Sequence, residues 1–329
     1  MKNIAIIGAG FSGLTVANML KNHANITIFE KARGVSGRMS TRRAEPYFFD
    51  HGTQFFIVKT NEFAQFIQPM IDNNIIKHWE ANFIEIENKA IIQKRKWDGQ
   101  YPHYVGCPGM NAIAKYLSHD LTININVRVQ SITKNPNRKW QLQDDKNNQL
   151  GEYDWVISTI PSEQAKDLLP DYLPFYPQIN ATKMQGCFSL MLGFANKLQL
   201  DFDAALVRGA DISWISVNNS KPDRNDKSCL LIHSTNKWAD AHIDDDRTEV
   251  LNYLRQETSE IIGHDLSIAE HQAVHGWRYA NIQTQQNDIT HFFDQDNNIG
   301  VCGDWFIKGR VEAAFTSAHD LANHYLQNI

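Results

Sequence analysis

The sequence predicts an α/β protein: a parallel-sheet unit, with a second, α+β unit of mixed sheet and helices. Three observations predict it. Residues 1–30 run strand, glycine turn, helix, strand and a terminal acid. A second strand-to-helix passage, "GVCGDWFIKGRVEAAF", returns near the other end of the chain. Between the two lie long stretches with strand and helix patterns but no motif, and 329 residues are enough for a second core.

In the first passage, Ile4, Ile6 and Ile7 form the β-branched run of a buried parallel strand. Gly8, Gly10 and Gly13 follow, then apolar residues at helical spacing (Leu14, Ala17, Leu20), then "NITIFE" as a second strand. Each glycine has its own physical task. Gly8 permits the sharp turn, Gly10 lets backbone approach a pyrophosphate, and Gly13 lets helix pack on sheet. The helix N-terminus offers free N–H groups and partial positive charge to phosphates. Glu30, at the end of the second strand, is placed to accept hydrogen bonds from both ribose hydroxyls and to repel a 2′-phosphate.

The next segment, "KARGVSGRMSTRRAEPYFFDHGTQFF", decides between dinucleotides. A plain NAD domain would continue into another helix and strand, but Gly34 and Gly37 break any helix and Arg38 follows. A cation there adds a second contact on the same pyrophosphate, contributing ~1.5–3 kcal/mol as a charge-assisted hydrogen bond. Net charge is −5 and the isoelectric point about 6.2, so these arginines form a local pocket wall rather than a nucleic-acid face.

Glu30-x-x-Arg33…Gly37-Arg38, followed by "FFDHGTQFF", resembles the flavin-containing amine oxidase superfamily, and within it renalase and its bacterial relatives. The resemblance implies a non-covalently bound FAD in a Rossmann-like domain of glutathione reductase type. It implies that Gly37-Arg38 contacts the pyrophosphate, and that Asp50, Gly52 and Gln54 run beside the flavin. Val129 matches the valine whose backbone binds the adenine. Asp304, after Gly303, matches an aspartate on the ribityl chain. Gly309-x-Val311-Glu312-x-Ala314 matches the start of a helix facing flavin N1 and O2, where free N–H groups stabilise the charge of a reduced flavin. Ser12, Lys31, Thr53 and Arg310 are expected to join these cofactor contacts.

The matching segments lie at both ends and in the middle of the chain. The cofactor domain is therefore expected to be discontinuous (1–57, 104–160 and 277–329), with 58–103 and 161–276 as substrate domain. "LTININVRVQSITKNPNRKWQL" reads as a strand pair with Val127, Val129 and Ile132 inward and Trp140 on the return. "YDWVISTIP" reads as a strand, Trp155 to Thr159, and Ile299 to Cys302 as another. In the substrate domain, "FIEIENKAIIQKRKW" and "QGCFSLMLGFA" read as strands, the latter apolar enough to be central; "PGMNAIAKYLSHD", in the 104–160 stretch, reads as a helix.

Hydride transfer to a flavin asks little acid–base help when the donor is neutral, and no catalytic triad is legible. Ser12 lacks the second glycine of a nucleophile elbow, since Leu14 stands there. His271 and His275 fall in a strand that runs into Trp277, which leaves no reason to expect a metal. Gln54, Trp277, Tyr279 and Phe306 are the expected substrate-lining residues. Amine oxidases place a cage tyrosine where this chain has Phe306. The resemblance to renalase-like members instead implies oxidation of dihydronicotinamide isomers to NAD(P)+, with O2 yielding hydrogen peroxide. The alternatives are oxidation of a primary or secondary amine, or a flavin-free escort-type binding module. The intact set of Gly8, Gly10, Gly13, Glu30, Arg38 and Asp304 argues against the last.

The four cysteines (Cys107, Cys187, Cys229, Cys302) form no C-x-x-C pair and fit reduced thiols better than a disulfide scaffold. Ile4 to Leu20 mimics a signal peptide only superficially, because its glycines fall at motif spacing. A cytoplasmic protein with small-molecule partners, and neither nucleic acid nor membrane, is expected.

Overall fold

A computed structural model describes residues 1–285 and 288–328, and the chain divides into two compact units. The first comprises 1–38, 114–184 and 282–329; the second comprises 39–113 and 185–281. Residues 39–57, 104–113 and 277–281 thus group with the second unit, and 161–184 with the first, where the sequence reading has them the other way. No helix of the described residues is long and apolar enough to cross a membrane.

The first unit is built on a six-stranded sheet. Its order is His291–Asp294, Ile299–Cys302, Trp155–Ser158, Lys2–Ile7, Ala24–Glu30, Thr122–Ile125. All neighbours are parallel except the His291–Asp294 edge. The central strand pairs Ile4 with Trp155 on one side and with Ile26 on the other. Its inner residues are wholly buried, as a parallel strand covered on both faces requires. The helices Phe11–Leu20 and Val311–Gln327 touch at their first turns, where the Ser12 hydroxyl donates to the Ala314 carbonyl at 3.0 Å.

The sequence reading of 121–142 as one strand pair is corrected in part. Thr122–Ile125 is a separate edge strand of the parallel sheet. Val127 lies outside any strand, half-buried, its N–H donating to the Glu30 carbonyl at 3.0 Å. The antiparallel pair is Val129–Lys134 with Trp140–Asp144, and Gln149–Tyr153 adds a third strand. Local alternation cannot show a chain leaving one sheet for another.

The second unit is built on a seven-stranded mixed sheet. Its order is His271–Asn281, Gln185–Phe194, Ser228–Ser234, Ile212–Val217, Ala204–Arg208, Asn82–Glu87, Ala90–Lys96. Gln185–Phe194 is an interior strand, buried on both faces, which explains its unbroken apolar reading. On one face Phe188, Leu190 and Leu192 join Ile232, Val250, Leu254 and Ile261 in a core under the helices Asn236–His242 and Arg247–Ile262. On the other, Met191, Cys229 and Leu231 pack against Tyr47 and Phe49 from the hairpin Arg42–Ala44/Tyr47–Phe49. Gly193 makes room there: a Cβ would stand 2.6 Å from the Tyr47 ring. This packing draws residues 39–57 into the second unit.

Candidate functional site

In the first unit the glycine turn is fixed by hard contacts. Gly8 sits at φ +107°, open to glycine and strained for other residues. A Cβ on Gly13 would stand 2.1 Å from the Gly8 carbonyl oxygen, so the helix lies directly on the turn. The Thr159 hydroxyl reaches the Ile7 and Gly8 carbonyls, each at 3.0 Å, and braces the turn from the neighbouring strand. Glu30 is buried and accepts from the Ala9 N–H and the Ala32 N–H, both at 2.8 Å. Gly10, by contrast, faces open space, with nothing within 4 Å of where a Cβ would be.

The loop after Glu30 folds back on this turn. The Ser36 N–H donates to the Ala9 carbonyl at 2.9 Å, and Gly37, at φ +53°, comes within 3.4 Å of the Gly10 Cα as measured from its virtual Cβ. Ser36 is buried, holds φ +112°, and its hydroxyl has no hydrogen-bond partner. Arg38 Nη2 then meets Asp304 Oδ1 at 2.5 Å, 266 residues apart in the chain. Asp304 opens a short 3-10 turn after Ile299–Cys302, at the C-terminal end of a parallel strand, where open α/β sheets bind ligands. The helix Val311–Gln327 begins beyond it, its N-cap Arg310 making no side-chain cap.

An open glycine, an orphaned buried hydroxyl, an uncapped helix start and a cation at one turn fit a dinucleotide. Gly8, Gly10, Ser12, Gly13, Glu30, Gly37, Arg38, Gly303, Asp304 and Val311 are all held in this unit. Lys31 and Arg310 are exposed, and Arg310 turns one guanidinium nitrogen to its neighbour's carbonyl, Gly309, at 2.9 Å. Val129 is buried where its strand pairs with Asp144. Phe306 is buried too, stacked on Trp305 at 4.0 Å and edge-on to Phe292 at 4.8 Å.

The second unit carries a different cluster, on the sheet face away from its helices. Register places His275, Ser189, His233 and Trp214 in one row across four strands. The segment Asp50–Phe55 crosses this row. The His51 carbonyl accepts from the Ser189 hydroxyl at 2.5 Å and from the Trp277 indole N–H at 2.8 Å. Gln54 Oε1 accepts from the Ser216 hydroxyl at 2.8 Å, and the Phe55 ring lies 5.5 Å from Trp214. Thr53, between them, is half-buried. Tyr279 lies two residues beyond Trp277 on the same strand, half-buried.

Asp50 is wholly buried between Arg224 Nη2 at 2.7 Å and Lys221 Nζ at 3.3 Å, and accepts from the Met110 N–H and the Thr41 hydroxyl. Burial pushes its carboxyl up, but the two cations and the hydrogen bonds prevail and hold it at about 2. Lys221 also reaches Gln54 Oε1 and Asn218 Oδ1, both at 3.2 Å. Sequence reasoning passed over Lys221, Arg224 and Asn218, because "NNSKPDRND" reads as an ordinary polar turn. It also passed over Ser36 and Thr159.

Burial, then the neighbouring His275 and Arg42, pull His51 down to about 3. Burial, then Arg42 and Arg247, pull His275 down to about 4, and burial, then Lys221, take His233 to about 4. Each folded value lies below the ordinary imidazole value near 6.5. The folded chain therefore binds fewer protons than the unfolded one between about pH 4 and 6.5. Stability is full above that window and falls as pH drops through it. The melting midpoint should fall by roughly 3–6 °C from pH 7.5 to pH 5.5. His275→Asn should shrink that fall, and an unchanged pH dependence in this variant would refute the assignment.

The fold and the first unit's turn define an FAD-dependent oxidoreductase. The family described as flavin containing amine oxidoreductase matches residues 79–325, three quarters of the chain, and an NAD(P)-binding Rossmann-like domain matches residues 6–69. The chain belongs to the flavin-containing amine oxidoreductase family. Among solved structures it is similar to a protein named "Putative protoporphyrinogen oxidase" from Exiguobacterium sp. 255-15, with TM-score 0.78 at 12% identity. It is also similar to two redesigned variants of a putrescine oxidase, with TM-scores 0.73 and 0.72 at 12% and 11% identity. Each likeness covers 100% of this chain and 99% of the other, and at such identities it speaks for the fold alone.

Proposed function

We propose that the protein is a renalase-like oxidase that takes a hydride from a dihydronicotinamide isomer of NAD(P)H, with O2 as acceptor and H2O2 as product. The observation that carries this reading is the charge on the polar face of the second unit's sheet. The groups around His51, His275 and Trp277 are neutral imidazoles and the Arg42 guanidinium, whose Nη2 lies 3.4 Å from His275 Nδ1. An ammonium substrate is repelled by such surroundings, whereas a neutral ring carrying phosphates is not. Phe306, packed in a core rather than offered as a cage ring, favours the same choice.

Bound FAD supplies the hydride-accepting N5 and passes the electron pair to O2. The chain's own residues hold and orient. Gly10 and the first helix N-terminus approach the pyrophosphate and Glu30 the adenosine ribose. Arg38, held by Asp304, would add a cationic contact to the pyrophosphate, Asp304 would also accept from the ribityl hydroxyls, and the Val129 backbone would bind the adenine. The uncapped backbone N–H groups at the start of the helix Val311–Gln327 would stabilise the negative charge of a reduced flavin. Ser12 and Lys31 complete the contacts within the first unit. The second unit serves as substrate domain, with the half-buried Trp277 and Tyr279 as lining. Gln54 acts through its internal bonds to Ser216 and Lys221.

The FAD is held non-covalently. Cys107, Cys229 and Cys302 are buried, and burial pushes every thiol up, Cys187 to about 12 and Cys229 to about 11, which keeps them protonated and poor nucleophiles.

The test is an absorption spectrum before and after anaerobic addition of borohydride-treated NAD+, which contains the dihydro isomers. Flavin bands near ~450 nm should bleach within seconds and return on admitting air. Bands that persist with this donor but bleach with amines would overturn the reading in favour of amine oxidation. A colourless protein that added FAD does not reconstitute would point to the flavin-free escort-type module.

A further inference from the structure

We infer that Arg42, with the imidazoles of His275, His51 and His271, forms an anion subsite on the second unit's sheet that takes a phosphate group of the electron donor. The inference rests on the dihydronicotinamide reading and adds the group that selects a phosphorylated donor. Arg42 opens the strand Arg42–Ala44, and the hairpin it belongs to packs on the sheet face that carries the odd-numbered residues of His271–Asn281. Arg42 is half-buried, and among the described residues no carboxylate lies within ion-pair distance of its guanidinium. Its polar neighbour is His275 Nδ1 at 3.4 Å, a long contact with a neutral ring.

A guanidinium taken partly out of water without a counter-charge is costly, and chains ordinarily supply a carboxylate. Asp50, only eight residues on, is already committed to Lys221 and Arg224. The surroundings of Arg42 offer further unmet donors and acceptors instead. His51 Nδ1 is buried without a partner, as is His271 Nε2. His51 is wedged edge-on to His275 at 5.2 Å and tilted over Trp277 at 5.0 Å, and His271 stacks on Phe49 at 5.5 Å, so all three rings are held in place. A fixed fork of N–H donors beside ring nitrogens that can each present an N–H suits a phosphate, whose oxygens accept several hydrogen bonds at once. The Trp277 indole beside it gives a planar surface next to that phosphate.

The experiment uses the FAD-loaded enzyme, so that the cofactor's own phosphate site is filled. Inorganic pyrophosphate is titrated into wild type, Arg42→Gln and Arg42→Lys, with binding read by calorimetry and by the imidazole proton resonances. Wild type should bind, the glutamine variant about ten- to a hundredfold more weakly, and the lysine variant in between. Binding should shift the His275 and His51 resonances in wild type. In parallel, the ratio of kcat/KM for the dihydro dinucleotide isomer to that for the phosphate-free dihydronicotinamide riboside should fall by the same factor in Arg42→Gln. Pyrophosphate affinity unchanged by Arg42→Gln would overturn the subsite. So would a variant that leaves pyrophosphate binding alone but loses FAD affinity, since that assigns Arg42 to the cofactor. If pyrophosphate binds through Arg42 while no dihydro isomer bleaches the flavin, the subsite stands and the donor assignment fails.

Discussion

Asp50→Asn is expected to destabilise the protein by about 3–5 kcal/mol, because it leaves Lys221 and Arg224 buried without a counter-charge. The carboxylate is wholly buried and accepts from four groups: Arg224, Lys221, Thr41 and the Met110 N–H. Asparagine is nearly isosteric but neutral, and its amide NH2 would face one of the donors. Of the two cations, Lys221 carries the surplus charge. Burial lowers it, Asp50 opposes, and the like charge of Arg224 lowers it again, to about 8. The paired directions differ, Asp50 being held ionised while Lys221 is driven towards neutrality. One carboxylate cannot fully serve two buried cations. Lys221→Met in the Asp50→Asn background should therefore restore part of the loss, measured as urea midpoints at pH 7. If the double variant is less stable than Asp50→Asn alone, Lys221 is not the surplus charge. The pH dependence follows in sign. Asp50 is depressed below its ordinary 3.8 to about 2, so its contribution is full above about pH 4 and is lost as pH falls through 2.

Gly13→Ala should cost at least the upper end of the ~1–3 kcal/mol usual for overpacking. The added methyl would lie 2.1 Å from the Gly8 carbonyl oxygen and 2.8 Å from Thr159 Oγ1, and the first of these is backbone that cannot rotate away. The helix Phe11–Leu20 must lift off the sheet, taking its N-terminal N–H groups with it. FAD should be lost on gel filtration and the melting midpoint should fall. Gly10→Ala is the contrasting variant. Nothing lies within 4 Å of its Cβ, so folding should hold while FAD affinity drops, the methyl occupying space left for the cofactor. Equal stability losses in the two variants, with equal FAD affinity, would show that the open side of Gly10 has no ligand.

What could be read in the sequence was local or tied to a known pattern. The strand, turn, helix and second strand of residues 2–30 sit where the β-branched run and the glycines put them. Ile299–Cys302, the helix Val311–Gln327 and the interior strand Gln185–Phe194 likewise follow from local apolar patterning. Each of these elements states its environment within a few residues. The Thr122–Ile125 edge strand did not, because a short polar strand carries the same alternation whichever sheet it joins.

The sequence by itself determined the kind of cofactor and the kind of unit that holds it. A glycine turn demands particular φ values and clearances, and those demands are met by residue identity at fixed spacing. Only the tertiary structure decided which distant groups neutralise one another. Arg38 meets Asp304 across 266 residues, Asp50 is caught between Lys221 and Arg224, and Arg42, among the described residues, meets His275 and no carboxylate. Charge pairing depends on separation and burial in space, and a one-dimensional chain specifies neither until its sheets bring the residues together.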